Sequence, residues 1–124
     1  NPEYEDVVKK IIYYFAEKVN ELRSLGIKDV ILDPGFGFGK TLEHNYEILS
    51  KLFHFKIFEL PLLVGLSRKS MISKMIKSNP EDILKGTIEA NTTALMNGAK
   101  ILRVHDVKEA VEAVGVNRHL KEPY

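Results

Sequence analysis

Polar residues that could bind a small molecule follow or belong to three short apolar runs in the sequence. Asp33 follows the first run, Arg68 and Lys69 follow the second, and the third contains Arg103 and His105. The last two are two residues apart, so both side chains point to one face of a strand. A carboxylate suits a neutral, nitrogen-rich ring, whereas guanidinium, ammonium and imidazole groups suit an anion. These residues predict a site for a flat heterocycle that carries an anionic group.

Each residue also has a structural interpretation when it is taken alone. Asp33 could cap a turn or a helix, and His105 could be a histidine with satisfied hydrogen bonds in the core. Arg68 and Lys69 could be solvated surface charges. The functional interpretation depends on convergence, because ligands of parallel sheets bind at the carboxyl ends of the strands.

The segment ILDPGFGFGK, residues 31–40, invites comparison with phosphate-binding loops. A Walker A loop would need a glycine where Pro34 stands. The G-x-G-x-x-G fingerprint begun at Gly35 would need a glycine where Lys40 stands. Both counts fail, so neither nucleotide-binding loop is predicted here.

Two interpretations of this glycine-rich loop remain open. In the first, it is a turn that ends with Thr41 as the amino-terminal cap of the next helix. In the second, Phe36 or Phe38 lies against a flat ring held by Asp33, which can accept hydrogen bonds from two adjacent N–H groups.

The composition excludes several classes of protein. The chain has 124 residues, the size of one domain, and a formal net charge of +1, so neither nucleic acid nor a membrane is an expected partner. It has no cysteine, which excludes disulfides and thiolate metal sites and fits a reducing compartment. No apolar run approaches the roughly 20 residues that span a bilayer.

The elements that position the polar residues alternate between helical and strand-like patterns. Helical spacing runs through EYEDVVKKIIYYFAEKVNELRSLG, LEHNYEILSKLFHF, SRKSMISKMI, PEDILKGTIEANTTALMNG and VKEAVEAVGVNRHL. Between them stand three apolar strands, DVILD, LPLLVGL and AKILRVHD. This order predicts an α/β protein in which a leading helix precedes three βα units with parallel strands. An open doubly wound sheet fits, as does part of a (β/α)8 barrel, which needs roughly 250 residues when complete.

Four motifs together resemble dihydropteroate synthase, the pterin-binding enzyme family of folate biosynthesis and the target of sulfonamides. They are LDPGFGFGKT, LPLLVGLSRKS, KGTIEA and AKILRVHDVKEAVEA, and the likeness runs from about Tyr4 to about Val114. Methyltetrahydrofolate methyltransferases share the fold and an aspartate after a strand, but not SRKS together with RVHD. The resemblance implies that residues 1–124 are one segment, the C-terminal half of a (β/α)8 TIM barrel.

The resemblance also implies an activity, which is to join 4-aminobenzoate to 6-hydroxymethyl-7,8-dihydropterin diphosphate and to release diphosphate. It implies that Asp33 binds the amino and ring N–H groups of the pterin. Phe38 would pack near both substrates, and Gly65 would let the substrate approach the backbone.

The resemblance implies roles for five further substrate-binding residues, and it implies that three of them are catalytic. Lys69 would contact the pterin beside the reacting carbon, and Ser70 would receive the carboxylate of 4-aminobenzoate with Arg68 beside it. Arg103 and His105 would bind the departing diphosphate. Lys69, Arg103 and His105 are therefore the predicted catalytic residues.

Family membership would further imply a magnesium ion, whose protein ligand is expected in the N-terminal half of the barrel, so no residue here is assigned to a metal. The chain lacks an initiating methionine, and we expect a C-terminal fragment that is inactive alone, cytoplasmic, and a homodimer through its late helices. One alternative is a non-catalytic half-barrel that binds a pterin or anion weakly or only mediates dimerisation. A more distant one is an open-sheet nucleotide binder, which the failed loop counts disfavour.

Overall fold

A computed structural model describes residues 6–36, 41–66, 72 and 79–121 of the chain. Helices α1 to α4 span, in order, Val7–Ser24, Leu42–Ser50, Pro80–Met96 and Val107–Lys121. A 3-10 helix spans Leu52–Phe58, and strands β1 and β2 span Leu63–Gly65 and Ile101–Arg103. The described part is therefore α/β, as the sequence predicts. The helix predicted over SRKSMISKMI lies outside the described residues except for Ile72.

Strands β1 and β2 pair in parallel, and their last residues, Gly65 and Arg103, are register partners. The first predicted strand, DVILD, is reduced to one parallel bridge between Leu32 and Leu62. The N–H of Leu32 donates to the carbonyl of Pro61 at 2.9 Å, and the N–H of Leu63 donates to the carbonyl of Leu32 at 2.8 Å. The three predicted segments thus run side by side in the predicted direction, but only two form strands.

The shortness of the first strand has a physical reason within the described residues. Leu32 has a neighbour on one side only, because the two-stranded sheet ends at β1. The adjoining Ile31 is 54% exposed, so little packing holds this segment in an extended ladder. An edge segment with one partner and an exposed apolar face is held more weakly than a central strand.

Local signals fix the ends of α1 and α3. Helix α1 stops before Gly26, whose φ of 83° is a left-handed conformation that glycine adopts without strain. Helix α3 begins at Pro80, and the Asn79 side chain accepts a hydrogen bond from the N–H of Asp82 at 3.0 Å.

The helix predicted over LEHNYEILSKLFHF is interrupted, and the prediction of one continuous helix is wrong. Helix α2 ends at Ser50, and the chain continues as a 3-10 helix from Leu52. Leu52 and Phe55 are almost fully buried, and Phe58 packs against the same core. This spacing of three residues matches the three residues per turn of a 3-10 helix, so the tighter winding turns all three side chains inward.

An aromatic cluster joins α1 to the 3-10 helix in the core. The ring of Phe15 meets the rings of Phe55 and Phe58 edge-on, at centroid distances of 5.6 and 5.9 Å. Burying one such side chain contributes about 2 kcal/mol, so this cluster is a main support of the site's scaffold. Of the described helices, none is both long enough and apolar enough to cross a membrane.

Candidate active site

The candidate site lies where β1 and β2 end. Both strands run in the same direction, and the bridge at Leu32 is parallel as well. Asp33, Leu66 and Val104 are the next residues along the three segments, so they emerge at one edge of the sheet. This is the edge at which parallel α/β folds bind ligands.

A cavity of about 150 Å³ opens at this edge and brings three predicted site residues together. Gly65 and Arg103 line it from the strand ends, and His105 lines it from the bend that follows β2. Phe36, Leu66 and Val104 complete the described wall. A guanidinium and an imidazole beside one cavity can donate several hydrogen bonds to the same anion.

The Arg103 side chain lies over the backbone of Gly65. A Cβ placed on Gly65 would be 2.5 Å from one terminal nitrogen of the guanidinium and 2.7 Å from its Nε. The guanidinium of Arg103 therefore lies against the residue at which the resemblance lets the substrate approach the backbone, and that role of Gly65 stays a prediction. This contact crosses from one strand to its register partner.

The charge of Arg103 is not neutralised by any acidic side chain that the structure describes. The two ion pairs among these residues are Lys18–Glu21 on α1 and Lys51–Glu47 beside α2, both far from the strand ends in sequence. A guanidinium without a carboxylate partner at the mouth of a cavity is suited to an incoming phosphate-type anion.

Asp33 lies at the same sheet edge but outside this cavity, and its predicted role with the pterin stays a prediction. Its Oδ1 accepts a hydrogen bond from the N–H of Gly35 at 2.9 Å, which forms a turn, and Gly35 has a φ of 74°. It lines a separate hollow of about 260 Å³ with residues of α1, among them Lys10 and Tyr14. The structure therefore brings Asp33 to the same sheet edge as Arg103 without placing it in the same cavity.

Four predicted site residues lie outside the described residues. They are Phe38 in the glycine-rich loop and Arg68, Lys69 and Ser70 after β1. Their proposed roles stay predictions.

The side chains at this edge of the sheet do not have the chemistry of a magnesium site. In the described ranges, no three histidine or acidic side chains gather closely enough to hold a metal ion. The cavity offers a guanidinium and an imidazole, whereas Mg²⁺ prefers carboxylate and water oxygens. These residues do not fit the ion, and the expectation of a magnesium ligand elsewhere in a longer enzyme stays a prediction.

Three wall residues were not among the predicted site residues. Phe36 is buried and lines the cavity, and the loop pattern offered it only as an alternative to Phe38. Leu66 and Val104 directly follow the strands, and their apolar side chains gave no chemical signal in the sequence. Their positions, one residue past each strand, are the signal that could have identified them.

Comparison with known proteins gives the fold and the site a context. Residues 1–105 match the family model described as pterin binding enzyme. The dihydropteroate synthase of Escherichia coli is 49% identical over 117 residues, which are 93% of this chain and 42% of that protein. The bifunctional dihydropteroate synthase/dihydropteroate reductase of Helicobacter pylori is 40% identical and is matched over 31% of its length.

Solved structures agree with these sequence matches. The Yersinia pestis dihydropteroate synthase with a sulfonamide drug has a TM-score of 0.88 and 42% identity, with 98% of this chain and 45% of that chain covered. The Xanthomonas albilineans enzyme in complex with 7,8-dihydropteroate has a TM-score of 0.87 and 33% identity, with 97% of this chain and 48% of that chain covered. The likeness shows that the α/β fold of this chain is a segment of a TIM barrel.

The chain spans less than half the length of these relatives. The family model, in contrast, matches most of the chain and includes both strands and the cavity between their ends. Since residues 1–105 of the 124 match it, the chain belongs to the family of pterin binding enzymes.

Proposed function

We propose that this chain is the C-terminal part of a dihydropteroate synthase. That enzyme condenses 4-aminobenzoate with 6-hydroxymethyl-7,8-dihydropterin diphosphate and releases diphosphate. The observation that carries the proposal is the cavity in which Arg103 and His105 meet at the ends of two parallel strands. Membership of the pterin binding family and the named relatives support the same activity.

The reaction needs what these two residues offer. The amine of 4-aminobenzoate attacks the methylene carbon of the pterin, a carbon–nitrogen bond forms, and the carbon–oxygen bond to diphosphate breaks. The new secondary amine then releases one proton to the solvent. Negative charge collects on the leaving oxygen, so donors aimed at it stabilise the transition state. Arg103 supplies a guanidinium and His105 supplies a ring N–H. The site also holds both substrates in place, and this orientation lowers the activation barrier.

Residues beyond this cavity complete the proposed site. Lys69 contacts the pterin beside the reacting carbon, and Asp33 accepts hydrogen bonds from its ring. Phe38 packs near both substrates, and Ser70, flanked by Arg68, binds the carboxylate of 4-aminobenzoate. These roles rest on the match of D-P-G, S-R-K-S and R-V-H-D to the family pattern.

The barrel architecture is part of the same proposal. The leading helix and the three βα units form the C-terminal half of a (β/α)8 barrel. Residues 1–124 are one segment of that barrel. The parallel bridge at Leu32 and the parallel pairing of β1 with β2 support three neighbouring strands. A segment of this kind supplies only part of the pterin pocket, so we propose that the 124-residue chain alone does not turn over substrate.

Helix α4 supports a homodimer formed through the late helices. Val107, Val111 and Val114 recur at helical spacing along one side of α4, and all three side chains are exposed. An exposed apolar stripe of this kind is a candidate contact with a second copy. A cytoplasmic location and inhibition by sulfonamides belong to the same proposal, the latter supported by the sulfonamide complex of the Yersinia enzyme.

The test measures dihydropteroate formation by the complete product of the gene that encodes this chain, with both substrates and magnesium. Arg103→Ala is expected to lower kcat/KM for the pterin diphosphate on the order of 100-fold, because one donor to the leaving group is lost. Arg23→Ala removes the same charge from an exposed position on α1 and is expected to leave kcat/KM unchanged. Lys69→Ala should also reduce turnover strongly.

Two outcomes would contradict the proposal. Full activity of Arg103→Ala would show that the cavity takes no part in the reaction. Binding of pterin without any turnover by the complete gene product would favour the non-catalytic half-barrel instead.

A further inference from the structure

Gly65 is a glycine for reasons of space and not of backbone conformation. Among the described glycines, positive φ values occur at Gly26, Gly35 and Gly98, so the backbone of Gly65 is one that any residue adopts. It ends a strand, and a glycine in a strand often marks a place where another group approaches the backbone closely. The group that approaches is the guanidinium of Arg103.

The closest approach to this position comes from one side chain. The three atoms nearest to a Cβ on Gly65 all belong to Arg103, at 2.5, 2.7 and 2.8 Å. A methyl group cannot share that space, since real Cβ contacts are not this short. Arg103 is exposed, so its guanidinium has solvent to swing into when it is pushed away.

We propose that Gly65 is a positioning residue for Arg103. Because residue 65 has no side chain, the guanidinium can lie across β1, at the mouth of the cavity beside His105. We call this position of the guanidinium, over the backbone of Gly65, the seat. The seat holds the charge where the diphosphate group of the substrate binds. This inference rests on the proposed function for the identity of the anion. The seat itself rests on the geometry of the two strand ends.

Stability and anion binding are therefore expected to respond differently to Gly65→Ala. The alanine backbone is unstrained, and an alanine restricts the unfolded chain more than a glycine does, so the melting temperature should stay the same or rise slightly. The guanidinium, however, loses its seat and part of its contact with the anion. A glycine needed only for folding would instead lower the melting temperature when it is replaced.

The test is a double-mutant cycle on the affinity for inorganic diphosphate, measured by calorimetry on the complete product of the gene that encodes this chain. Gly65→Ala is expected to weaken binding about tenfold, the loss of one charge-assisted contact. Arg103→Ala should weaken it at least as much, and the double variant no further than Arg103→Ala alone. The control is Gly115→Ala on α4, where a Cβ meets nothing within 4 Å and the affinity should not change.

Each result decides the proposal. Unchanged affinity in Gly65→Ala, or losses that add in the double variant, would overturn the positioning role. A crystal structure of Gly65→Ala gives a second measure that needs no ligand: the guanidinium should have left its place over residue 65, and a guanidinium that stays there overturns the seat. Failure of the unaltered protein to bind diphosphate would count against the proposed function, while the crystal structure still decides the role of Gly65.

Discussion

Thr41 and His44 cap the amino terminus of α2 reciprocally. The Thr41 hydroxyl oxygen accepts a hydrogen bond from the backbone N–H of His44 at 3.0 Å, and the N–H of Thr41 donates to His44 Nδ1 at 3.4 Å. This is a capping box in which histidine stands where glutamate or glutamine is usual. Thr41 is therefore a helix cap, as the first of the two interpretations of the glycine-rich loop had it.

Thr41→Ala should lower the free energy of unfolding by about 1 kcal/mol, because the N–H of His44 loses its acceptor. Urea denaturation followed by circular dichroism measures the change. Thr41→Ser keeps the hydroxyl and is expected to stay within about 0.5 kcal/mol of the unaltered chain. Equal losses in the two variants would mean that the hydroxyl does not cap α2.

Phe15→Ala should lower the free energy of unfolding by about 3 kcal/mol, since it leaves a cavity between Phe55 and Phe58. Tyr14→Ala is the matched control, because Tyr14 is the next aromatic residue on α1 and is 58% exposed. Its replacement should cost about 0.5 kcal/mol or less. Similar costs for the two substitutions would contradict the placement of the aromatic cluster.

Asn97 joins the end of α3 to α2 over a long stretch of sequence. Its Nδ2 donates to the carbonyl of Leu49 at 2.9 Å, and Asn97→Ala should cost about 1 kcal/mol of unfolding free energy. Asn20→Ala replaces an exposed asparagine on α1 and should have little effect. An Asn97→Ala variant as stable as Asn20→Ala would show that the bond between the helices contributes nothing.

Val111→Glu should weaken self-association if the valine stripe of α4 is the contact between two copies. A charge buried in an apolar interface lacks a partner and is costly. Val116→Glu adds the same charge at another exposed position on α4, on the side of the helix opposite the valine stripe. It should leave the assembly state unchanged. Sedimentation velocity measures the assembly state of both variants. Equal assembly states would show that the valine stripe is not the contact between two copies.

The sequence predicted α1, α3 and α4 because the signals that start and end these helices are local. Helix α3 starts at Asn79–Pro80 and ends before Gly98, and each of these residues acts within one turn of its own position. The end of α2 was missed because it is set by packing. Leu52 and Phe55 are both buried at a spacing of three residues, which suits a 3-10 helix. That spacing can be recognised only once the core that the two side chains enter is known.

The candidate site was predictable in its residue types and not in its contacts. The spacing of Arg103 and His105 predicted a shared face, and the structure places both beside one cavity. The position of the Arg103 guanidinium over Gly65 depends on the pairing of two residues that are far apart in the sequence. For the same reason the sequence did not show that Asp33 lines a different hollow.

The central claim is that this chain carries part of a pterin diphosphate site whose anion is held by Arg103. The most direct measurement is a calorimetric titration of the 124-residue chain with 6-hydroxymethyl-7,8-dihydropterin diphosphate, with dihydropteroate formation assayed on the same sample. We expect binding that Arg103→Ala removes, without turnover of 4-aminobenzoate. A folded chain that does not bind the ligand, or that binds it equally well with and without Arg103, would contradict the claim.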